Sequence, residues 1–309
     1  MLSILHVFAR YGRIALAAGL LAGLLLPGLA ATLKPFLPHF VVFLLFLTAL
    51  RIGPKEAAEG ISDLRLTLSV VLVFQLALPL VVFGTSYVLG FSHSPYLMAV
   101  VLVLAAPALS GSPNFSILLG ANPEPAFRLL VLGTAILPIT MLPIFWLLPQ
   151  MGDFQTAVAS SGYAILTIGL AIALGFVLSQ RFIPRQTRDQ LEALDGAMTI
   201  AMVVIVVGLM AALRPAFERL PVEVFGWLVL AFSVNFGMQA LTFVISKKLK
   251  WGEEAVPFSI VSGNRNVAIF LVMVSPDAAE PLLIFLGCYQ IPMYLTPILM
   301  QRLYKTAKT

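Results

Sequence analysis

Apolar runs, each long enough to cross a bilayer, recur along almost the whole chain. About 20 apolar residues rising 1.5 Å each span the ~30 Å of hydrocarbon in a membrane. Windows of that length give ten runs, at 14–30, 36–50, 65–90, 96–120, 126–149, 157–179, 194–213, 221–246, 255–274 and 279–301. The sequence therefore predicts an all-α membrane protein of ten transmembrane helices, built as one transmembrane domain over 1–309 with short loops. Only 11% of the residues are charged and the mean hydropathy is +1.00, whereas a soluble domain carries about 25% charged residues. That balance excludes a soluble enzyme, a nucleic-acid binder and a disordered scaffold. The first run follows Arg10 and Arg13 like a secretory signal, but it is long enough to span and is read as retained.

The basic residues test the count. With the N-terminus on side one, only Lys34, Arg214 and Arg219 of the nineteen lysines and arginines fall on side two, and Arg265 falls on neither. Adding or losing a span midway would scramble that bias, so the positive-inside rule predicts a multi-pass protein of the inner membrane with both termini cytoplasmic. The net charge of +5 is scattered over several loops rather than gathered on one stripe, which argues against nucleic acid and implies a lipid bilayer as the surroundings. No protein partner is implied. Trp146, Trp227 and Trp251 lie toward span ends, as interface anchors do. Cys288 is the one cysteine and reads as a buried thiol. Gly19 and Gly23 in the first span read as a helix-contact groove within the subunit.

Ten spans with both ends on one side can be two five-span halves inserted in opposite directions, here 1–150 and 151–309. One short string supports this inverted repeat. Ser110-Gly111-Ser112-Pro113-Asn114 interrupts the fourth span and Ser262-Gly263-Asn264-Arg265-Asn266 the ninth, each the penultimate span of its half. Both read Ser-Gly-x-x-Asn and both are followed by Glu-Pro, at Glu124-Pro125 and Glu280-Pro281. Such strings unwind a helix, and non-helical backbone at membrane depth survives only against protein or a watery cavity. Discontinuous helices 4 and 9 crossing near the midplane would enclose a ligand site, while the plainer reading is a pair of kinked packing helices.

Arg265 sits about ten residues from either end of the ninth span, roughly 15 Å deep. A guanidinium there costs about 2.5–3.5 kcal/mol on insertion scales, and something must offset it. All fourteen carboxylates lie in or beside loops. The open partners are carbonyls of the opposite broken helix, the amides of Asn114, Asn264, Asn266 and Gln75, and an anionic ligand. Two roles follow, bracing of the crossover and contact with a carboxylate, sulfonate or phosphate.

With its inverted five-plus-five repeat and broken fourth and ninth spans, the chain resembles the bile acid:sodium symporter family, within a superfamily that includes arsenite exporters. In that family the fourth span carries Pro-Gly-Gly and then Ser-Asn, where this chain has Pro107 to Asn114, one residue longer. The ninth reads Glu-x-Gly-x-Gln-Asn, which falls on Val261 to Asn266, matching at Gly263 and Asn266. The acidic sodium ligand becomes Val261 and the sodium-coordinating Gln becomes Arg265. Asn114, Asn266, Gln75 and Thr134 are what the resemblance leaves for an ion site. It implies alternating access, with Na+ as a coupling ion only if the site survives the change of charge.

The expected function is thus secondary transport of a small organic anion, with sodium coupling weakened or replaced by Arg265, and a binding site of Arg265, Asn264, Asn266, Ser112, Asn114 and Ser262. A sodium-coupled symporter and a ligand-gated sensor or channel on the same fold remain the alternatives. Proton coupling through an intramembrane carboxylate is excluded, since none is there. No HExxH or GxSxG motif occurs and His6, His39 and His93 lie near interfaces, so no enzymatic activity, cofactor or metal site is expected.

Overall fold

The computed structural model describes residues 2–59, 64–148, 154–183, 186–273 and 276–305. Asp63, Asp153, Arg185 and Lys308, and the predicted span ends at 149 and 274, lie outside the described residues. In chain order the helices are α1 (Leu2–Arg10), α2 (Gly12–Leu25), α3 (Pro27–Leu33), α4 (Leu37–Glu59), α5 (Leu64–Leu72), α6 (Leu78–Val88), α7 (Pro95–Ala105) and α8 (Ser112–Leu118). They continue as α9 (Glu124–Leu147), α10 (Phe154–Phe182), α11 (Arg188–Arg219), α12 (Pro221–Lys248), α13 (Ala255–Gly263), α14 (Phe270–Met273), α15 (Pro276–Leu299) and α16 (Gln301–Lys305). A π-helical turn, Val73–Ala77, joins α5 to α6. Among the described residues the one β-type contact is an isolated antiparallel bridge between Ala108 and Arg265.

Six stretches are long and apolar enough to cross a membrane: Pro27–Lys55, Leu64–Val88, Glu124–Leu147, Arg188–Arg219, Pro221–Lys248 and Leu282–Lys305. The bent pair α1 and α2 makes a seventh if it is one span. The chain is an all-helical, multi-pass membrane protein. The six match the second, third, fifth, seventh, eighth and tenth predicted runs. The fourth and ninth do not qualify because each is interrupted, at 106–111 and at 264–266.

The first boundary differs from expectation. Pro27 lacks an N–H and has a fixed φ suited to a helix start, so a new helical stretch begins there and runs through a 3₁₀ turn at Lys34–Phe36 into α4. Lys34, expected in a loop on side two, therefore lies inside the Pro27–Lys55 stretch. Further on, Gly53 takes φ +70° just ahead of Pro54 and kinks α4; the residue before a proline is pushed out of the helical region, and glycine adopts that positive φ without a Cβ penalty.

The chain divides into two compact units. The first comprises 1–59, 163–224 and 268–287. In it α11 lies along α1, α2, α3 and α4, and its start is fixed by a capping box in which Thr187 and Gln190 satisfy each other's backbone N–H groups. Small residues allow the helices to approach. Gly19 and Gly23 face Val203, Val207 and Met210 of α11, and Gly175 of α10 faces Phe46 and Ala49 of α4. The half-buried Arg51 guanidinium grips both carboxylate oxygens of Asp195, tying α4 to α11.

The second unit comprises 60–162, 225–267 and 288–309. Its apolar core gathers Val70, Val71 and Phe74 with Ala108, Ala126, Leu129, Leu130, Phe258 and Val261. Arg128 near the start of α9 donates to Glu254, just ahead of α13, at 2.8 Å, and the two form a largely buried pair.

A side chain at Gly23 would put its Cβ 2.6 Å from that of Met210. Overpacking of this kind costs about 1–3 kcal/mol, so Gly23→Val is expected to lower the melting temperature of the detergent-solubilised protein by several degrees. Gly28→Val, where nothing lies within 4 Å, should leave it unchanged.

Candidate functional site

The site lies in the second unit, where two interrupted helices meet. α7 ends because Pro107 forces Ala106 into an extended conformation, φ −65° and ψ 150°. α13 ends at Gly263, and Asn264 is extended at φ −104° and ψ 93°. The Asn264 side chain helps that ending, since its Nδ2 donates to the carbonyl of Ile260 at 2.8 Å beside its own backbone N–H.

The freed backbone groups satisfy one another. Leu109 N donates to Asn264 O at 3.0 Å, and Asn266 N donates to Pro107 O at 2.9 Å, flanking the Ala108–Arg265 pair. These two bonds are the reciprocal pair of an antiparallel bridge and join Pro107 to Asn266 and Leu109 to Asn264. The strings that share letters sit differently against their helices: Gly111 caps the start of α8, whereas Gly263 closes α13. Likewise Glu124-Pro125 opens α9, while α15 has already begun at Pro276, ahead of Glu280-Pro281.

Arg265 is 2% exposed and does not reach out of the protein. Its Nε donates to Ser262 O at 3.0 Å and its Nη1 to Ala106 O at 3.0 Å. The guanidinium lies 4.8 Å from the centre of the Phe74 ring, a cation–π arrangement. Nη2 is buried without a hydrogen-bond partner. The two accepting carbonyls belong to the C-terminal ends of α7 and α13, which each carry about half a negative charge. The converging helix ends thus supply the counter-charge that no carboxylate provides.

Behind Arg265 stands a buried polar network that the sequence reading missed. Gly263 O accepts from Asn235 Nδ2 and from Tyr289 Oη, both at 2.5 Å. Gln239 Nε2 donates to Asn235 Oδ1 at 2.7 Å, Tyr304 Oη donates to Gln239 Oε1 at 2.9 Å, and Thr296 Oγ1 donates to Asn264 Oδ1 at 3.0 Å. Asn235 and Gln239 sit four apart in an apolar span; amides at that spacing and depth were the available signal. Thr296 and Phe74 have no distinguishing signal in the sequence.

The expected site residues separate on this geometry. Arg265, Ser262 and Asn264 are turned inward and engaged within the protein, Ser262 Oγ donating to Met238 O and Ser259 O. Asn266 is 7% exposed and Asn114 is exposed on α8. Ser112 is fully buried, and its Oγ and that of Ser110 have no partner. Gln75 lies in the π-helical turn, a device that often marks functional sites. Its Nε2 packs against Gly133, next to the buried Thr134, and its Oε1 has no partner.

Sodium requires several oxygen ligands, and the crossover turn around Arg265 offers few. The guanidinium takes the carbonyls of the helix ends, Val261 is apolar, and Asn264 Oδ1 is engaged. Among the described residues no three His, Cys, Asp or Glu side chains gather as a metal group would need. Compared with protein-family models and with curated proteins, the chain matches none.

A Cβ at Gly263 would fall inside the van der Waals surface of the Asn235 carbonyl oxygen, whereas at Gly111 its nearest neighbour would be 3.7 Å away. Gly263→Ala is expected to cost about 2 kcal/mol or more, seen as a lower melting temperature. Gly111→Ala, at a helical φ of −81°, should be silent. Equal effects would restore the equivalence that the shared letters suggest.

Proposed function

We propose that the chain is a secondary transporter that moves a small organic anion across the inner membrane by alternating access, with both termini cytoplasmic. The observation that carries this reading is the pair of interrupted apolar helices hydrogen-bonded at their unwound turns, the arrangement that transporters use to build a site inside a membrane. On this reading the ten spans are the six long helices, the bent α1–α2 pair, α10, and the two interrupted helices as spans four and nine. The meeting of one interrupted helix from 1–150 with one from 151–309 at the Ala108–Arg265 bridge supports an inverted repeat. So does the composition of the two units, each drawing segments from both 1–150 and 151–309. These features support the likeness to bile acid:sodium symporters and favour transport over an enzymatic role.

The engagement of Arg265 with two helix ends favours the bracing role and weakened or lost sodium coupling. Its unpartnered Nη2 favours a second role, contact with the anion, together with Asn114 and Asn266 as further candidate contacts.

Reconstituted vesicles loaded with labelled carboxylates and sulfonates test the reading. We expect saturable uptake and counterflow of at least one of them, with an imposed sodium gradient changing the initial rate less than twofold. Binding without counterflow would instead assign a sensor or channel. Arg265→Lys and Arg265→Gln should each lower the rate at least tenfold, and wild-type rates in both variants would remove Arg265 from the site.

A further inference from the structure

We propose that the Arg265 guanidinium is a tethered counter-cation, and that removing it leaves a site that takes a free small monovalent cation. The inference rests on the crossover geometry and not on what the protein transports. Every group that touches the guanidinium favours positive charge. Ser262 O and Ala106 O are the ends of two helices whose dipoles point their negative poles at the same spot. The Phe74 ring presents its face to the cation. Among the described residues no acidic side chain is bonded to it, and Val261, which could have carried one from the same turn, is buried in the apolar core.

With the arginine removed, the partial negative ends of the two helices would face each other with no cation between them. A neutral side chain at 265 would leave the two carbonyls without these donors at a buried position. The burial penalty for such groups is severe. A cation small enough to enter restores the balance, and its binding to the folded state raises stability by mass action.

The same argument predicts that sodium does not displace the guanidinium in the wild-type chain. A covalently attached cation has no dissociation to compete with, and its planar fork reaches two carbonyls at once.

The test is thermal unfolding of purified Arg265→Ala and wild-type protein in detergent, in N-methylglucamine chloride, with guanidinium chloride added up to about 50 mM or sodium chloride up to about 200 mM. The expected result is a saturable rise of at least 5 °C in the variant with one or both salts and less than 1 °C in the wild type. The sodium and guanidinium arms separate an oxygen-cage preference from a preference for the aromatic face. Equal responses in variant and wild type, or none in the variant, would overturn the proposal. Should Arg265→Ala not yield folded protein, Arg265→Gln is melted in the same way. If it too is unfolded, monodisperse yield is compared after solubilisation with and without 50 mM guanidinium chloride, and no gain overturns the proposal. Failure here would leave the vesicle uptake result untouched, and failed uptake would leave this cation response untouched.

Discussion

The crossover depends on one balance of charge, a guanidinium set against two helix C-termini. An arginine near the middle of a membrane span is costly, and an antiparallel meeting of two helix ends is costly for the opposite reason, since the dipoles bring like partial charges together. Each problem cancels the other. The geometry suits arginine in particular: Nε and Nη1 reach different helices at 3.0 Å each while the flat face rests on Phe74. A lysine ammonium has the charge but neither the fork nor the face.

Around that balance, unwound backbone is almost fully accounted for. Pro107, Leu109, Asn264 and Asn266 exchange backbone bonds across the bridge. Gly263 O is held by two side-chain donors, and the amide chain from Tyr304 through Gln239 to Asn235 runs donor to acceptor toward it. Bonds aligned in one direction polarise each other in a medium of low dielectric. The result is a crossover fixed from both sides, by Arg265 at Ser262 and by Asn235 and Tyr289 at Gly263. A core of this kind resists local rearrangement, so the motion of the proposed transport cycle would have to move it as a body.

What the sequence made legible was whatever depends on length and polarity. Apolar runs located the long helices, though the second began nine residues late and the seventh fell six short at each end, and Ser-Gly-rich strings located the two interruptions. Register was not legible. Ser110-Gly111 and Ser262-Gly263 share letters, yet the breaks are set by Pro107 acting on Ala106 and by the Asn264 side chain acting on Ile260 O, and the residues that meet across them are Ala108 and Arg265. Nor could partners be read. One phenylalanine among twenty-two carries the cation, and Arg128 and Glu254 are far apart in sequence although they bond at 2.8 Å. Such pairings depend on the fold already being formed. Lys34 shows a related limit, because a proline start at Pro27 outweighed the hydropathy minimum around the lysine.

The tethering of the cation bears on energetics as well as on architecture. A coupling ion drives transport because it binds on one side, crosses with the substrate and leaves on the other. In the proposed transport cycle Arg265 would make the same journey as part of the protein and return with it, so over a full cycle it would transfer no charge and extract no work from a cation gradient. A transporter built this way would keep the structural benefit of a positive charge at the crossover while giving up the thermodynamic one. Net flux on that reading would follow the electrochemical gradient of the substrate anion itself or of a second anion exchanged for it.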